Sequence, residues 1–524
     1  MTTEPPNSSI LLRGGTVLTH DKTDHVIVLR DTDVLVHNGI IERVGENIDP
    51  PSSSTEVIDC KGKIVSPGFL DTHHHLWQTQ LKGRHAEKGL SHTCIRPESD
   101  GAVALGNMMS YAYKPEDMYW GQLSGCLEAI HAGTTTVLDH AHCAYTPDHA
   151  TSALQATLDS GIRAIFGYTV PTRVAQWDQS QCVPEPDPMP EWAVQQLGDL
   201  LEKHNSAASL VEIGLGFDLW FLPKDMVLGT FQTLRQKGLR LVTSHVGRNA
   251  FMGLHSHVQL LQSYDLLRSP YPPSESSTNM PYLLLSHCNG ISHEDMSMLA
   301  TTGTPISSTP GTESQMGMGF PVGLDPALKS RETAHVSLGV DCHTNDPSSI
   351  LLQARMLLQL TRVEKNAKIV APGNYPSENV TGTSEEAFNL ATIRGARCLG
   401  LGDAIGSIEV GKKADLVVFD AAGSVGMLSA VEYDPVVAIV RFSEAADIEH
   451  VIVNGVLKKR GGKLVATDVS LDKMGPMEWK ETAEQVRRSQ REIQQRIDGL
   501  SLQRARETLL AMFHTDSSRL VDAE

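Results

Sequence analysis

The chain has 524 residues, 40% of them apolar, with a mean hydropathy of −0.18; that is long for one core, so a barrel with attachments or several domains is expected. Its 62 acidic and 44 basic residues leave a formal net charge of −18, which argues against nucleic acid or an anionic membrane as the main partner, since both need clustered Lys and Arg. The eight cysteines are scattered with no C-x-x-C pair, so reduced thiols are expected and a disulfide scaffold is not.

The opening MTTEPPNSSILLRGG has no basic segment leading into a sustained apolar run, and no stretch reaches 18 apolar residues. A cytoplasmic protein without membrane contact is expected. Residues 10–66 read as short strands divided by the turn signals RGG, HNG and CKGK. The same pattern returns in AIGSIEVGKKADLVVFDAAG (404–423) and IEHVIVNGVLKKRGGKLV (448–465). Chain ends often lie together, so both ends are expected to build one small β-sandwich domain, 1–66 with 402–470.

Between them, eight nearly continuous apolar runs read as strands buried on both faces: 64–71, 134–139, 162–167, 210–217, 239–245, 282–287, 304–308 and 335–341. Helical stretches separate several of them. The pattern predicts an α/β fold, a (β/α)8 TIM barrel over 67–401. No G-x-G-x-x-G follows the first strand, which ranks a Rossmann-type sheet well below it. The Glu-, Arg- and Gln-rich stretch 477–514 predicts one or two helices within a C-terminal extension, 471–524.

Several of the strands end in a metal-ligating residue. The first ends in D-T-H-H-H, the fifth at His245, the sixth at His287 and the eighth at Asp341. Barrel sites form where the C-terminal strand ends meet, so these residues become neighbours. Strand alternation puts His73 and His75 on one face, able to chelate one ion, and turns His74 away to pack. Three neutral imidazoles and a carboxylate suit one divalent ion, zinc first, with iron or another transition metal as alternatives. Such an ion lowers the pKa of a water it holds toward about 7.

The G-T-V-L piece, PGFLDTHHH, AGTTTVLD, the strand-end His245 and His287, LGVD341 and the closing GSIEVGKKADLVVFD together make the chain resemble the amidohydrolase superfamily over nearly its full length. The likeness is greatest to the branch of cytosine and guanine-type deaminases, methylthioadenosine deaminases and triazine chlorohydrolases. The resemblance implies that His73, His75, His245 and Asp341 bind the metal. It implies that His287 hydrogen-bonds the attacking water or the electrophilic group, and that Asp341 also takes a proton from the water. Two departures stand out. The branch's deaminases carry H-x-x-E after the fifth strand, where this chain reads H245-V-G-R248, and LVEIGLGFDLW has no terminal lysine to bridge a second metal.

The expected activity is hydrolysis of a C–N bond, other than a peptide bond, in a cyclic or heteroaromatic small molecule by metal-activated water. Deamination or dehalogenation with Glu313 in place of the lost glutamate is the first alternative, a metal-dependent lyase or decarboxylase the second, and a non-catalytic scaffold the third. Trp77, Gln78 and Glu313 are the candidate substrate contacts. His142 and His343 are read as structural, and Trp177, in the Pro-rich loop 170–192, as a cover over the site. Association into a homo-oligomer is left open.

Overall fold

A computed structural model describes residues 9–84, 107–206, 209–249, 252–271, 280–329, 335–515 and 517–519. Eight parallel strands form one sheet in sequence order: β1 (Phe69–His74), β2 (Thr134–Ala141), β3 (Arg163–Tyr168), β4 (Val211–Gly216), β5 (Leu241–Gly247), β6 (Tyr282–Asn289), β7 (Ile306–Ser308) and β8 (Val336–Leu338). Every residue of β1 and β2 is buried, as apolar runs covered on both faces require. The sheet closes just beyond β8, where Asp341 N donates to His73 O at 2.8 Å and His75 N donates to Asp341 O at 3.1 Å. A side chain at Gly339 would put its Cβ 2.7 Å from His73 O, so only glycine lets the last strand come this close to the first. The result is the (β/α)8 barrel.

The run 64–71, read as one strand, is two. Ile64–Pro67 pairs antiparallel with Leu416–Phe419, while Phe69 begins β1 against Thr134. The break falls at Gly68, whose Cβ would lie 2.1 Å from Thr135 Oγ1. The chain therefore changes sheets at the one residue without a side chain.

The second sheet has nine strands and draws on both ends of the sequence, Ser9–His20 through Ile64–Pro67 and Leu416–Phe419 through Lys463–Leu464. Eight of its strands are linked in one hydrogen-bonded order, and Glu56–Asp59 pairs with Ser9–His20 off that path. Leu12, Val17, Val34, Val65, Leu416 and Ile452 meet in a single apolar cluster on it.

Helices fill the βα connections and carry local start and stop signals. Ser292 and Asp295 form a capping box before His293–Thr302, which ends on Gly303 at φ 67°. The two helices Trp479–Ile497 and Leu502–Met512 lie against the barrel. Ser489 Oγ donates to Asp117 Oδ1 at 2.6 Å, and Arg496 pairs with the same carboxylate. Trp177 is not a cover over the site: it is buried at the end of Val174–Trp177, and its indole N–H donates to Ser501 O at 2.9 Å. No described helix is long and apolar enough to cross a membrane.

Candidate metal centre

Four side chains converge at the C-terminal mouth of the barrel. His73 and His75 leave the end of β1, His245 sits in β5, and Asp341 follows β8. Asp341 Oδ1 lies 3.1 Å from His73 Nε2 and 2.9 Å from His75 Nε2, and His245 Nε2 is 3.4 Å from His75 Nε2. Zinc with ligands at about 2.0–2.1 Å in a tetrahedron has ligand–ligand edges of about 3.3 Å, so these separations fit one small ion.

The other nitrogen of each ring is already engaged. His73 Nδ1 lies 2.8 Å from Ser286 Oγ, while His75 Nδ1 donates to His140 O at 2.7 Å and His245 Nδ1 to Asp218 Oδ2 at 2.8 Å. The carbonyl and the carboxylate can only accept, so they fix the tautomer that leaves Nε2 of His75 and His245 with its lone pair toward the centre, the arrangement a metal-binding imidazole needs; the Ser286 hydroxyl can accept from His73 in the same way. Burial keeps His73 neutral by holding its pKa well below the ordinary histidine value. Burial alone would raise Asp341, but the close approach of His73 and His75, with the nearby His287, holds its carboxyl well below the usual range. For His245 burial works downward, yet the Asp218 carboxylate raises its pKa.

Backbone conformation aims two of the groups. His287 and Asp341 have φ of 74° and 68°, and Cys288 has φ 59°. A non-glycine residue in this region costs on the order of 1–3 kcal/mol. The strand pairing shows why it is adopted in β6: Val246 pairs with His287 but Gly247 pairs with Asn289, so Cys288 is an extra residue in a bulge. The bulge turns His287 inward, with Nε2 4.0 Å from Asp341 Oδ2 and Nδ1 2.8 Å from Thr309 Oγ1.

The three candidate substrate contacts are placed differently. Glu313 is fully buried behind His287, where its carboxylate accepts from Thr309 N at 2.7 Å and from Ser308 Oγ at 3.2 Å; its nearer oxygen is 3.8 Å from His287 Nδ1. It therefore faces the Thr309 backbone, because the short Pro310–Gln315 helix begins there and leaves that N–H to be capped. Trp77 and Gln78 belong to the 3-10 turn Leu76–Leu81 and are both buried. Trp77 packs edge-on to Tyr113, and Gln78 Nε2 donates to Asn107 Oδ1 at 3.0 Å. Among the described residues the Trp77 indole N–H and Gln78 Oε1 have no partner.

His74 turns its ring away, with Nδ1 2.7 Å from Asp71 Oδ2, and His343 Nε2 lies 2.9 Å from Glu128. His142 is not the satisfied structural group its sequence suggests. Its ring lies 4.5 Å from that of His75, and its buried Nδ1 has no partner among the described residues. Asp218, two residues beyond β4, was missed by sequence reasoning. It stands in GFDLW, where only the absent lysine drew notice, and its one signal was an acidic residue just past an apolar strand. Arg248, where the branch has glutamate, donates Nε to Leu254 O at 2.7 Å.

The amidohydrolase family profile matches residues 64–228 and 291–458, and the chain belongs to that family. Among curated relatives, the 5-methylthioadenosine/S-adenosylhomocysteine deaminase of Acetivibrio thermocellus is 25% identical over 472 residues, covering 88% of this chain and 96% of the relative. The 5'-deoxyadenosine deaminase of Methanobrevibacter smithii is 26% identical over 471 residues, covering 85% and 95%. Among solved structures, a variant of the Arthrobacter aurescens TC1 atrazine chlorohydrolase, complexed with zinc and atraton, aligns at a TM-score of 0.71. It is 20% identical and covers 91% of this chain and 100% of its own. A zinc-bound adenosine deaminase from Xanthomonas campestris gives 0.69 at 19% identity, covering 94% and 100%.

Proposed function

We propose that this protein is a metal-dependent hydrolase of a C–N bond on a heteroaromatic small molecule, with zinc the first choice of ion at His73, His75, His245 and Asp341. The observation that carries the reading is the set of three imidazoles whose Nδ1 atoms are each tied to protein, leaving three Nε2 atoms and one carboxylate turned to a single point. The deaminase relatives and the chlorohydrolase fold support a flat nitrogen heterocycle as the substrate class.

His73, His75, His245 and Asp341 would hold the ion, which would lower the pKa of a water toward neutrality and polarise the carbon under attack. Asp341 has two tasks at two atoms. Oδ1 faces His73 and His75, while Oδ2 is the oxygen nearer His287, and is positioned to take the proton of the attacking water and return it to the leaving nitrogen. His287 presents Nε2 as a hydrogen-bond donor to charge that builds up on the substrate, and its Nδ1 is held by Thr309. Glu313 acts on that pair from behind and is a positioning residue. The Trp77 N–H and Gln78 carbonyl oxygen, without a partner among the described residues, would offer a donor and an acceptor to the polar edge of a ring.

The test is a substrate panel of aminopurine nucleosides, aminotriazines, chlorotriazines and cyclic ureas, read for ammonia, amine and chloride. Release of ammonia or an amine from a heterocycle is the expected result. Chloride release alone would favour the dehalogenating alternative, and no turnover of any member by metal-loaded protein would overturn the reading.

A further inference from the structure

A second group of metal-ligating side chains stands beside the first. His140 in β2, His142 just after it and Asp218 after β4 bring ligand atoms within 4.8 Å of one another, together with His245. His140 is completely buried, and neither of its ring nitrogens has a hydrogen-bond partner among the described residues. An imidazole buried with both nitrogens unmatched is costly, so its position needs an explanation.

The fold holds the ring there. A Cβ at Gly216 would lie 2.7 Å from both Cδ2 and Nε2 of His140, so the glycine at the end of β4 is the space the imidazole occupies. His140 Nε2 is 3.5 Å from Asp218 Oδ2 without a hydrogen bond between them. That is close to the ligand–ligand edge of about 3.3 Å around a tetrahedral zinc. The His142 ring is 4.6 Å from that of His140, and His142 also has an unmatched nitrogen, Nδ1.

Asp218 has capacity to spare. A carboxylate offers about four lone-pair directions. Oδ1 accepts from His245 N at 2.8 Å and Ser244 Oγ at 3.0 Å, and Oδ2 accepts from His245 Nδ1 at 2.8 Å. One direction on Oδ2 remains, on the side of His140. Its side chain is 36% exposed, which gives an ion a way in from solvent.

We infer that His140, His142 and Asp218 form a second site for a borderline divalent cation of the zinc type, adjacent to and distinct from the centre at His73, His75, His245 and Asp341. The two sites share no ligand atom, because His245 keeps Nε2 for the first ion and its Nδ1–H for Asp218. They are linked through that hydrogen bond: a cation on Asp218 Oδ2 withdraws charge from the group that orients His245. Occupancy of the second site therefore weakens the first, and the second ion binds less tightly than the first because it adds charge beside one already present.

The test is metal stoichiometry of the full chain, independent of turnover. Chelator-treated protein is titrated with Zn²⁺ alone and, in parallel, with Co²⁺ followed by its visible absorption. Two equivalents are expected, the second at higher free metal and with its own Co²⁺ bands. His142→Ala should saturate at one equivalent, keeping the first set of bands. His142→Phe, which preserves a flat ring against His75, repeats the measurement if the alanine variant does not fold. Saturation of the wild type at one equivalent in excess metal would overturn the second site while leaving the first intact, and none bound would refute both. Two equivalents on a folded His142 variant would also overturn the assignment.

Discussion

At the scale of single residues, the adjacent histidines 73, 74 and 75 are distinguished by what their rings touch. His73→Ala and His75→Ala each remove an Nε2 from the converging set and should lose the first ion. His74→Ala removes contacts to Asp71 and Ser348 instead and should retain it; elemental analysis of purified variants, with circular dichroism to confirm folding, decides. Asp218→Asn sets an amide where His245 Nδ1–H needs an acceptor. The first ion's affinity should fall by about 10–100-fold, as loss of a group that orients a metal-bound imidazole typically does, measured by competition with a chelator. Asp341→Asn in metal-loaded protein should cost at least about 10²–10⁴-fold in kcat, the usual contribution of a general acid–base group. Glu313→Gln should be much milder, since a glutamine oxygen can still accept from Thr309 N. Equal losses in the two variants would restore Glu313 to a direct part in the chemistry.

Elements explain both what was legible and what was not. The eight barrel strands stand out in sequence because a strand covered on both faces is apolar throughout, and their polar last residues mark the mouth of the barrel. The shift of sheets at Gly68 was hidden, because 64–67 and 69–74 are equally apolar and only Thr135, far along the chain, shows why a glycine is needed. The grouping of His140, His142 and Asp218 was hidden for a related reason. Two come from β2 and its exit and one from the exit of β4, and nothing local in either segment records that β4 lacks a side chain where His140 sits. Gly339→Ala puts a methyl group against the His73 carbonyl, which is part of the barrel closure and cannot swing aside. Overpacking of this kind costs about 1–3 kcal/mol. The variant should melt lower and bind the first ion more weakly, both measurable by thermal denaturation with and without zinc.

For the whole molecule, the many buried histidines make acid a global stress. His20, His73, His140, His142, His149 and His343 all have pKa values lowered by burial. Below an ordinary histidine pKa of about 6.5 the unfolded chain takes up protons there that the folded chain refuses. Between its folded and its unfolded pKa each such group removes stability at a rate of up to about 1.4 kcal/mol per pH unit. His245, raised by Asp218, works in the opposite sense, but its contribution is complete once the pH has fallen to about 6.5. The chelator-treated protein should therefore lose melting temperature steeply from pH 6.5 toward 5; a flat profile over that interval would contradict the burial of these rings. The nine-stranded sheet acts on the chain in another way, during synthesis. The strand Ile64–Pro67 has its antiparallel partner at Leu416–Phe419, so an apolar edge made early stays open on the ribosome until the barrel between them has been translated. An open edge of this kind recruits other chains, and a messenger truncated anywhere inside the barrel would yield a product that aggregates rather than a smaller working enzyme.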